Sequence, residues 1–202
     1  PSPGYVFSNW ARTSSGSFAN ANSASTTFTM PAEDAEITAS FRAALFSEDF
    51  TGLSYGETPY YWERGSSNWI GAVNENEAGG TAPEVVYVGD GTSPVTHRVI
   101  SPPIDATGHS GLNLSFKFFV NDSSYYTYPY QLKVQVSTDN KATWTTAVSY
   151  TFGTHYNDRQ ATAAEVDLSA YDGEEILVAW CFDGNPSGVI TWKIDDIVIF
   201  TD

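Results

Sequence analysis

The sequence predicts an all-β protein, and three observations carry that prediction. Aromatic residues make up 15% of the 202 positions, beside 16 glycines and 10 prolines, a composition that suits pleated surfaces divided by tight turns. Apolar residues recur at every second position in several short runs, and almost no stretch shows the 3.6-residue period of an amphipathic helix. Gly, Asn, Asp and Ser punctuation separates those runs. At this length the chain holds one large β domain or two smaller ones.

In chain order, residues 1–43 stand apart. SSGSFANANSAS is small and polar, and TTFTMPAEDAEITASFRA reads as two strands joined by a turn at Pro31 to Asp34. Few residues remain to enclose a core there, which places a boundary at Ala43 or Ala44 and a second domain over 44–202. Next comes GLSYGETPYYWERGSSNW, a loop-like stretch with Tyr55, Tyr60, Tyr61, Trp62 and Trp69. LNLSFKFFV sets Leu112, Leu114, Phe116, Phe118 and Val120 on one face, with Asn113, Ser115 and Lys117 on the other. NDSSYYTYPYQL then gathers Tyr125, Tyr126, Tyr128 and Tyr130 in a second loop. YQLKVQVS alternates Leu132, Val134 and Val136 with Lys133 and Gln135, as expected of a sheet with one wet side.

EILVAWCF is apolar on both faces and reads as a central strand covered on both sides. In TWKIDDIVIF, strict alternation points Trp192, Ile194, Val198 and Phe200 inward and takes Asp196 with them. A buried carboxylate needs a cation, a hydrogen-bonding shell or a proton.

The charge balance narrows the partners. Nine basic residues stand against 24 acidic ones, a formal −15, and no basic run exists to neutralise phosphates. Nucleic acid and anionic membrane are excluded. Cys181, the single cysteine, allows no intrachain disulfide or thiolate metal site and is expected to be a buried, inert thiol. No apolar stretch approaches the roughly 20 residues of a membrane span, so export would be directed by sequence outside this segment.

Two resemblances emerge from particular residues. GYVFSNW followed by TFTMPAEDAEITASF resembles the second half of the divergent internalin-type B-repeat, which implies a β-grasp-like partial module over 1–43. From Leu45 onward the chain resembles the choice-of-anchor J group, related to MAM and cleaved-adhesin domains. The residues that carry this are FSEDF, AGGTAPE, VISPPID, LNLSFKFFV, VQVSTDNKATWT, VDLSAYDG and WKIDDIVIF, in that order. The resemblance implies a two-sheet jelly-roll β-sandwich in which the first and last strands meet, usually with bound calcium. It further implies a non-catalytic part of a larger secreted or surface bacterial protein. The sequence departs from the pattern at the dense tyrosines of 121–130, at Asn140 and Lys141 in place of turn glycines, and at Lys193 in place of an aromatic.

Glu48, Asp49, Asp195 and Asp196 come from opposite ends of the module, and a jelly roll brings those ends together. Clustered carboxylates suit calcium far better than zinc, so the expected cofactor is structural Ca²⁺; the alternative is an acidic strand end facing solvent near Lys193 or Arg42. The leading ligand surface is aromatic: Tyr60, Tyr61 and Trp62 from one loop, Tyr125, Tyr126, Tyr128 and Tyr130 from the other. Rings with polar tips stack on sugars at low entropic cost, which points to a polysaccharide or cell-surface glycan. The same rings also suit capping the sandwich core, and a protein partner is the second ligand class.

A glycan hydrolase is the weakest reading. His97, His109 and His155 are isolated, and H-E-x-x-H does not occur. Only EDAE at Glu33 to Glu36 and NENE at Asn74 to Glu77 approach the paired acids of a glycosidase, and both read as solvated turn residues.

Overall fold

A computed structural model describes residues 4–123, 128–152 and 161–201. Tyr125, Tyr126 and His155 lie outside the described residues.

The N-terminal quarter consists of β1 (Tyr5–Arg12), β2 (Ser17–Phe18), β3 (Phe28–Thr29) and β4 (Ile37–Glu48). β2 and β3 form a small hairpin, while β1 pairs antiparallel with β4 from Tyr5 opposite Ala43 to Arg12 opposite Ile37. Phe7, Trp10, Phe18, Phe28 and Phe41 touch in a row, with the Phe18 and Phe28 centroids 4.7 Å apart. None of the described residues from Gly4 to Asp49 is buried. β4 crosses the expected Ala43/Ala44 boundary without a break. Its first part pairs with β1 and its last part, Ala44 to Glu48, with the final strand of the chain.

The remaining strands are β5 (Glu63–Arg64), β6 (Trp69–Val73), β7 (Glu84–Val88), β8 (Val95–Ile100), β9 (Ile104–Asp105), β10 (Leu112–Asp122), β11 (Tyr130–Ser137), β12 (Thr145–Phe152), β13 (Thr162–Asp167), β14 (Glu175–Gly184) and β15 (Val189–Thr201). One sheet runs β1-β4-β15-β10-β13, with β7 also on β15 and β6 on β7. The facing sheet runs β12-β11-β14-β8-β5, with β9 on β14. The described residues contain no α-helix, and the protein is an all-β, two-sheet sandwich of the jelly-roll type.

Period-2 alternation fills the space between the sheets. Leu112, Leu114, Phe116, Phe118 and Val120 of β10 face Leu132, Val134 and Val136 of β11 and Ile176, Val178, Trp180 and Phe182 of β14, all at most 5% exposed. β14 is covered on its outer face as well: Trp144 packs on Ile100, Leu177 and Ala179, beneath the Arg98 guanidinium. Cys181 is buried there, and burial pushes its thiol up to about 11, so it remains protonated and inert.

The strict alternation expected of β15 fails, and a bulge is the reason. Pairing with β10 slips between Ser115 opposite Val198 and Lys117 opposite Asp195. Asp196 takes a left-handed φ of 47°, and one extra residue reverses the faces beyond it. The inward set is therefore Trp192, Ile194, Ile197 and Ile199. Val198 and Phe200 turn outward, Asp196 is half-exposed, and the fully buried carboxylate is Asp195, on the outer face of the sheet.

Asn140 and Lys141 also adopt left-handed backbone, at φ of 53° and 75°. That explains why glycines are usual in this turn. Here Asp139 compensates by accepting bonds from Thr143 N–H and Oγ1 and from Ser137 Oγ, while Lys141 reaches Glu63 at 2.7 Å.

Candidate functional site

The four predicted metal-ligating acids lie along the stretch where β15 changes partners, but no three of them bring their carboxylate oxygens within 4.8 Å of one another. On the edge away from β10, β7 pairs with Thr191 to Ile194 and β4 with Ile197 to Phe200. Asp195 and Asp196 fall in the gap between them, Glu48 ends β4 at that gap and Glu84 begins β7 there. A groove of about 550 Å³ opens beside it on the outer face of the sheet, lined by Glu48, Asp49, Asp196, Lys117, Ser47 and Ser115 among others. Lys117 donates to Asp196 Oδ2 at 2.7 Å and to the Gly79 carbonyl at 3.0 Å.

Asp195 has no surface, and its Oδ2 has no hydrogen-bond partner. Its Oδ1 accepts from the Asp196 N–H at 2.8 Å. Burial, reinforced by the Asp196 and Glu84 charges, pushes its carboxyl up to about 7. Burial likewise raises Glu48, whose Oε1 accepts from the Phe50 N–H. Gly80 lies directly over the aspartates. A Cβ there would come 1.9 Å from Asp195 Oδ2 and 3.0 Å from the Asp196 carboxyl carbon, so no other residue fits without a shift. An orphaned, buried carboxylate oxygen under a glycine calls for a proton or a cation as its partner.

The tightest convergence of acids lies next to this gap and was not anticipated. Among the described residues, Glu75, Glu77 and Glu84 are the one trio whose carboxylate oxygens all lie within 4.8 Å of one another. Lys193, 2% exposed, fills the centre. It contacts Glu75 Oε2, Glu77 Oε2 at 2.6 Å and Glu84 Oε1 at 3.1 Å. Glu84 is fully buried and also accepts from the Glu77 and Ala78 N–H groups. Burial alone would lower the Lys193 pKa, but the three glutamates more than reverse it and the net shift is upward. The NENE alternation and the last residue of AGGTAPE were the visible signals. Their meeting on Lys193, more than a hundred residues away, was not visible.

The aromatic residues divide into two kinds. Tyr130 is a correction: it is 1% exposed, stacked on Phe182 at 5.3 Å and Phe152 at 5.7 Å, and its hydroxyl donates to Asp122. It opens β11 in phase with Leu132 and Val134, so parity places it in the core beyond reach of a ligand. Trp62 is half-buried, its ring set against Trp180 at 5.7 Å and Phe50 at 5.8 Å. Tyr60 and Tyr61, immediately before it, are 82% and 73% exposed with ring centroids 4.0 Å apart. Tyr128 is 44% exposed, and its carbonyl lies against Gly188, where a Cβ would come within 2.5 Å.

The pedestal of the Tyr60–Tyr61 pair is specific. Pro59 is buried, its carbonyl accepts from the Trp62 N–H at 3.0 Å, and Tyr61 is held at a left-handed φ of 73°. A non-glycine residue held there carries strain that the surrounding anchors must offset. The wet face of β11, by contrast, is internally satisfied. Lys133 pairs with Asp183, which also accepts from Thr96, and Gln135 joins Arg98 to Thr146.

Comparison with known proteins covers the two regions separately. Residues 1–45 match the family described as the divergent InlB B-repeat domain. No curated protein matches the chain in sequence. Among solved structures, the K3 cleaved adhesin domain of Lys-gingipain from Porphyromonas gingivalis is similar with a TM-score of 0.56 at 17% identity, over 79% of this chain and all of that one. The K2 cleaved adhesin domain of Lys-gingipain gives 0.51 at 20% identity, over 78% of this chain and 99% of that one. The C-terminal family 22 carbohydrate-binding module of Clostridium thermocellum Xyn10B gives 0.51 at 8% identity, over 78% and 94%. At such identities these likenesses establish the shared sandwich fold.

Proposed function

We propose that this chain is a non-catalytic, extracellular binding module of the choice-of-anchor J type, part of a larger secreted or surface bacterial protein, whose ligand is a polysaccharide or cell-surface glycan. The observation that carries the reading is the Tyr60–Tyr61 pair: two rings almost fully in water, on a strained turn anchored by Trp62 and Pro59. Rings held in water on a rigid base lose little entropy on binding, and their faces and hydroxyls suit the apolar faces and hydroxyls of sugar rings. Tyr128 offers a further ring on a separate loop. The likeness to adhesin and carbohydrate-binding domains accords with this reading through the fold alone.

Structural calcium belongs to the same proposal. Asp195, Asp196 and Glu48 would hold it at the β4–β15–β7 junction, with Asp49 at the groove mouth, and the unpartnered Asp195 oxygen supports it. Bound there, the ion would neutralise the facing carboxylates and tie three strands together. A glycan array probed with the full chain, with calcium and with EDTA, tests both parts. Selective retention that Tyr60→Ala and Tyr61→Ala abolish without lowering the melting temperature is expected. A blank array from folded protein would sink the glycan reading, and a melting temperature indifferent to EDTA would sink the calcium one.

A protein ligand is the second reading, favoured by a different surface. Tyr5, Met30, Ile37 and Phe41 of the N-terminal region are 39–64% exposed, and apolar side chains left in water suit a protein contact. Loss of binding to a partner cell surface on Phe41→Ser, with glycan retention unchanged, would assign adhesion to that face.

A further inference from the structure

We propose that Lys193 is a tethered substitute for a divalent cation: its ammonium occupies a three-glutamate site and docks the segment carrying Glu75 and Glu77 on the sheet without an exchangeable ion. This site is distinct from the Asp195 junction of the calcium proposal. Three hard oxygen donors converge within 4.8 Å, the spacing of a metal site. The space between them holds a cation already, bonded to one oxygen of each glutamate. An ammonium carries three donors and a compact charge, so three carboxylate oxygens saturate it.

The geometry does not depend on the lysine alone. Glu84 has no surface and is oriented by the Glu77 and Ala78 N–H groups. Its carboxylate therefore stays in place when the ammonium is removed. Lys193 is 2% exposed because it sits on the outer face of β15, opposite Val86 of β7 and Phe119 of β10, beneath the segment it holds. This accounts for a lysine where an aromatic is usual: the outer face here is covered through a charge cluster rather than by a ring. Being covalent, the cation cannot be stripped by a chelator.

Lys193→Ala removes the ammonium and leaves room for an ion between three carboxylates. Native mass spectrometry in calcium should then count about one more ion per chain than in the wild type. The extra ion should vanish again in Lys193→Ala combined with Glu75→Gln and Glu77→Gln. Ions at the Asp195 junction are common to all three proteins and cancel in the comparison, so failure of the calcium proposal leaves this test intact. Equal ion counts in folded wild type and Lys193→Ala overturn the inference. If Lys193→Ala is unfolded in EDTA, refolding on calcium that the variant also carrying Glu75→Gln and Glu77→Gln does not show supports it, and refolding shared by both or absent from both overturns it.

Discussion

The N-terminal quarter and the sandwich are stabilised differently although one strand runs through both. In the sandwich, Trp69, Trp180, Tyr87 and Phe182 have no exposed surface and pack ring against ring between two sheets. In the N-terminal region Phe7, Trp10, Phe18, Phe28 and Phe41 also form a row of rings, but only a two-residue-per-strand hairpin packs on the β1–β4 ladder and every one of them stays partly in water. Equal aromatic content thus yields unequal burial, because burial needs a second layer as extensive as the first. β4 is what joins the regions: Ile37 to Ala43 serves β1, and Ala44 to Glu48 serves β15. The small region therefore depends on its sheet continuity with the large one.

The largest expected effect tests that contrast directly. Trp180→Ala should cost about 3–5 kcal/mol and unfold both regions together in a urea titration. Trp10→Ala, half-buried, should cost about 1–2 kcal/mol and leave the sandwich transition in place. Equal costs would mean that the N-terminal region has a core of its own.

Two glycines sharpen the comparison. Gly80→Ala drives a Cβ into the Asp195 carboxylate and should lower sandwich stability by about 1–3 kcal/mol. Gly16→Ala meets the Phe28 ring at 2.6 Å and the Thr29 carbonyl at 2.8 Å, at a φ of 111°. It should open the β2–β3 hairpin, seen as faster amide exchange there, and leave protection in β14 untouched. Spread of the Gly16 effect into β14 would make the two regions one cooperative unit.

The smallest effects lie in the turn between β11 and β12. Lys141→Gly relieves left-handed strain but loses an exposed pair with Glu63, so a net gain below about 1 kcal/mol is expected. Bonds from Thr143 and then Ser137 hold the Asp139 carboxyl down to about 2, below its ordinary 3.8. A depressed carboxyl stabilises the fold above its unfolded pKa, and that contribution is lost as pH falls through its folded value. The melting temperature of the wild type should therefore fall on acidification towards about pH 2 more than that of Asp139→Ala, and only in the sandwich transition. Parallel acid profiles would remove Asp139 from the account.

The tyrosines show how far local pattern reaches. Tyr130 continues the alternation of Leu132 and Val134, so its burial was implicit in the run that follows it. Tyr60 and Tyr61 have no such neighbours, and only the packing of Trp62 on Trp180 decides that they stand in water.

The all-β class and the inner faces of β10, β11 and β14 were legible in the residues. Each rests on period-2 alternation or on spacing, which are local properties of the chain. The turn at Asn140 and Lys141 was legible as a departure whose backbone cost only the structure showed. Tertiary structure alone decided that Asp195, and not Asp196, is the buried carboxylate. A bulge adds one residue to one strand, and alternation within that strand carries no mark of it. It also decided the partner exchange along β15 and the closure of Glu75, Glu77 and Glu84 on Lys193. Such meetings are set by which distant strands pair, and the identity of a residue contains no information about its partner across the sheet.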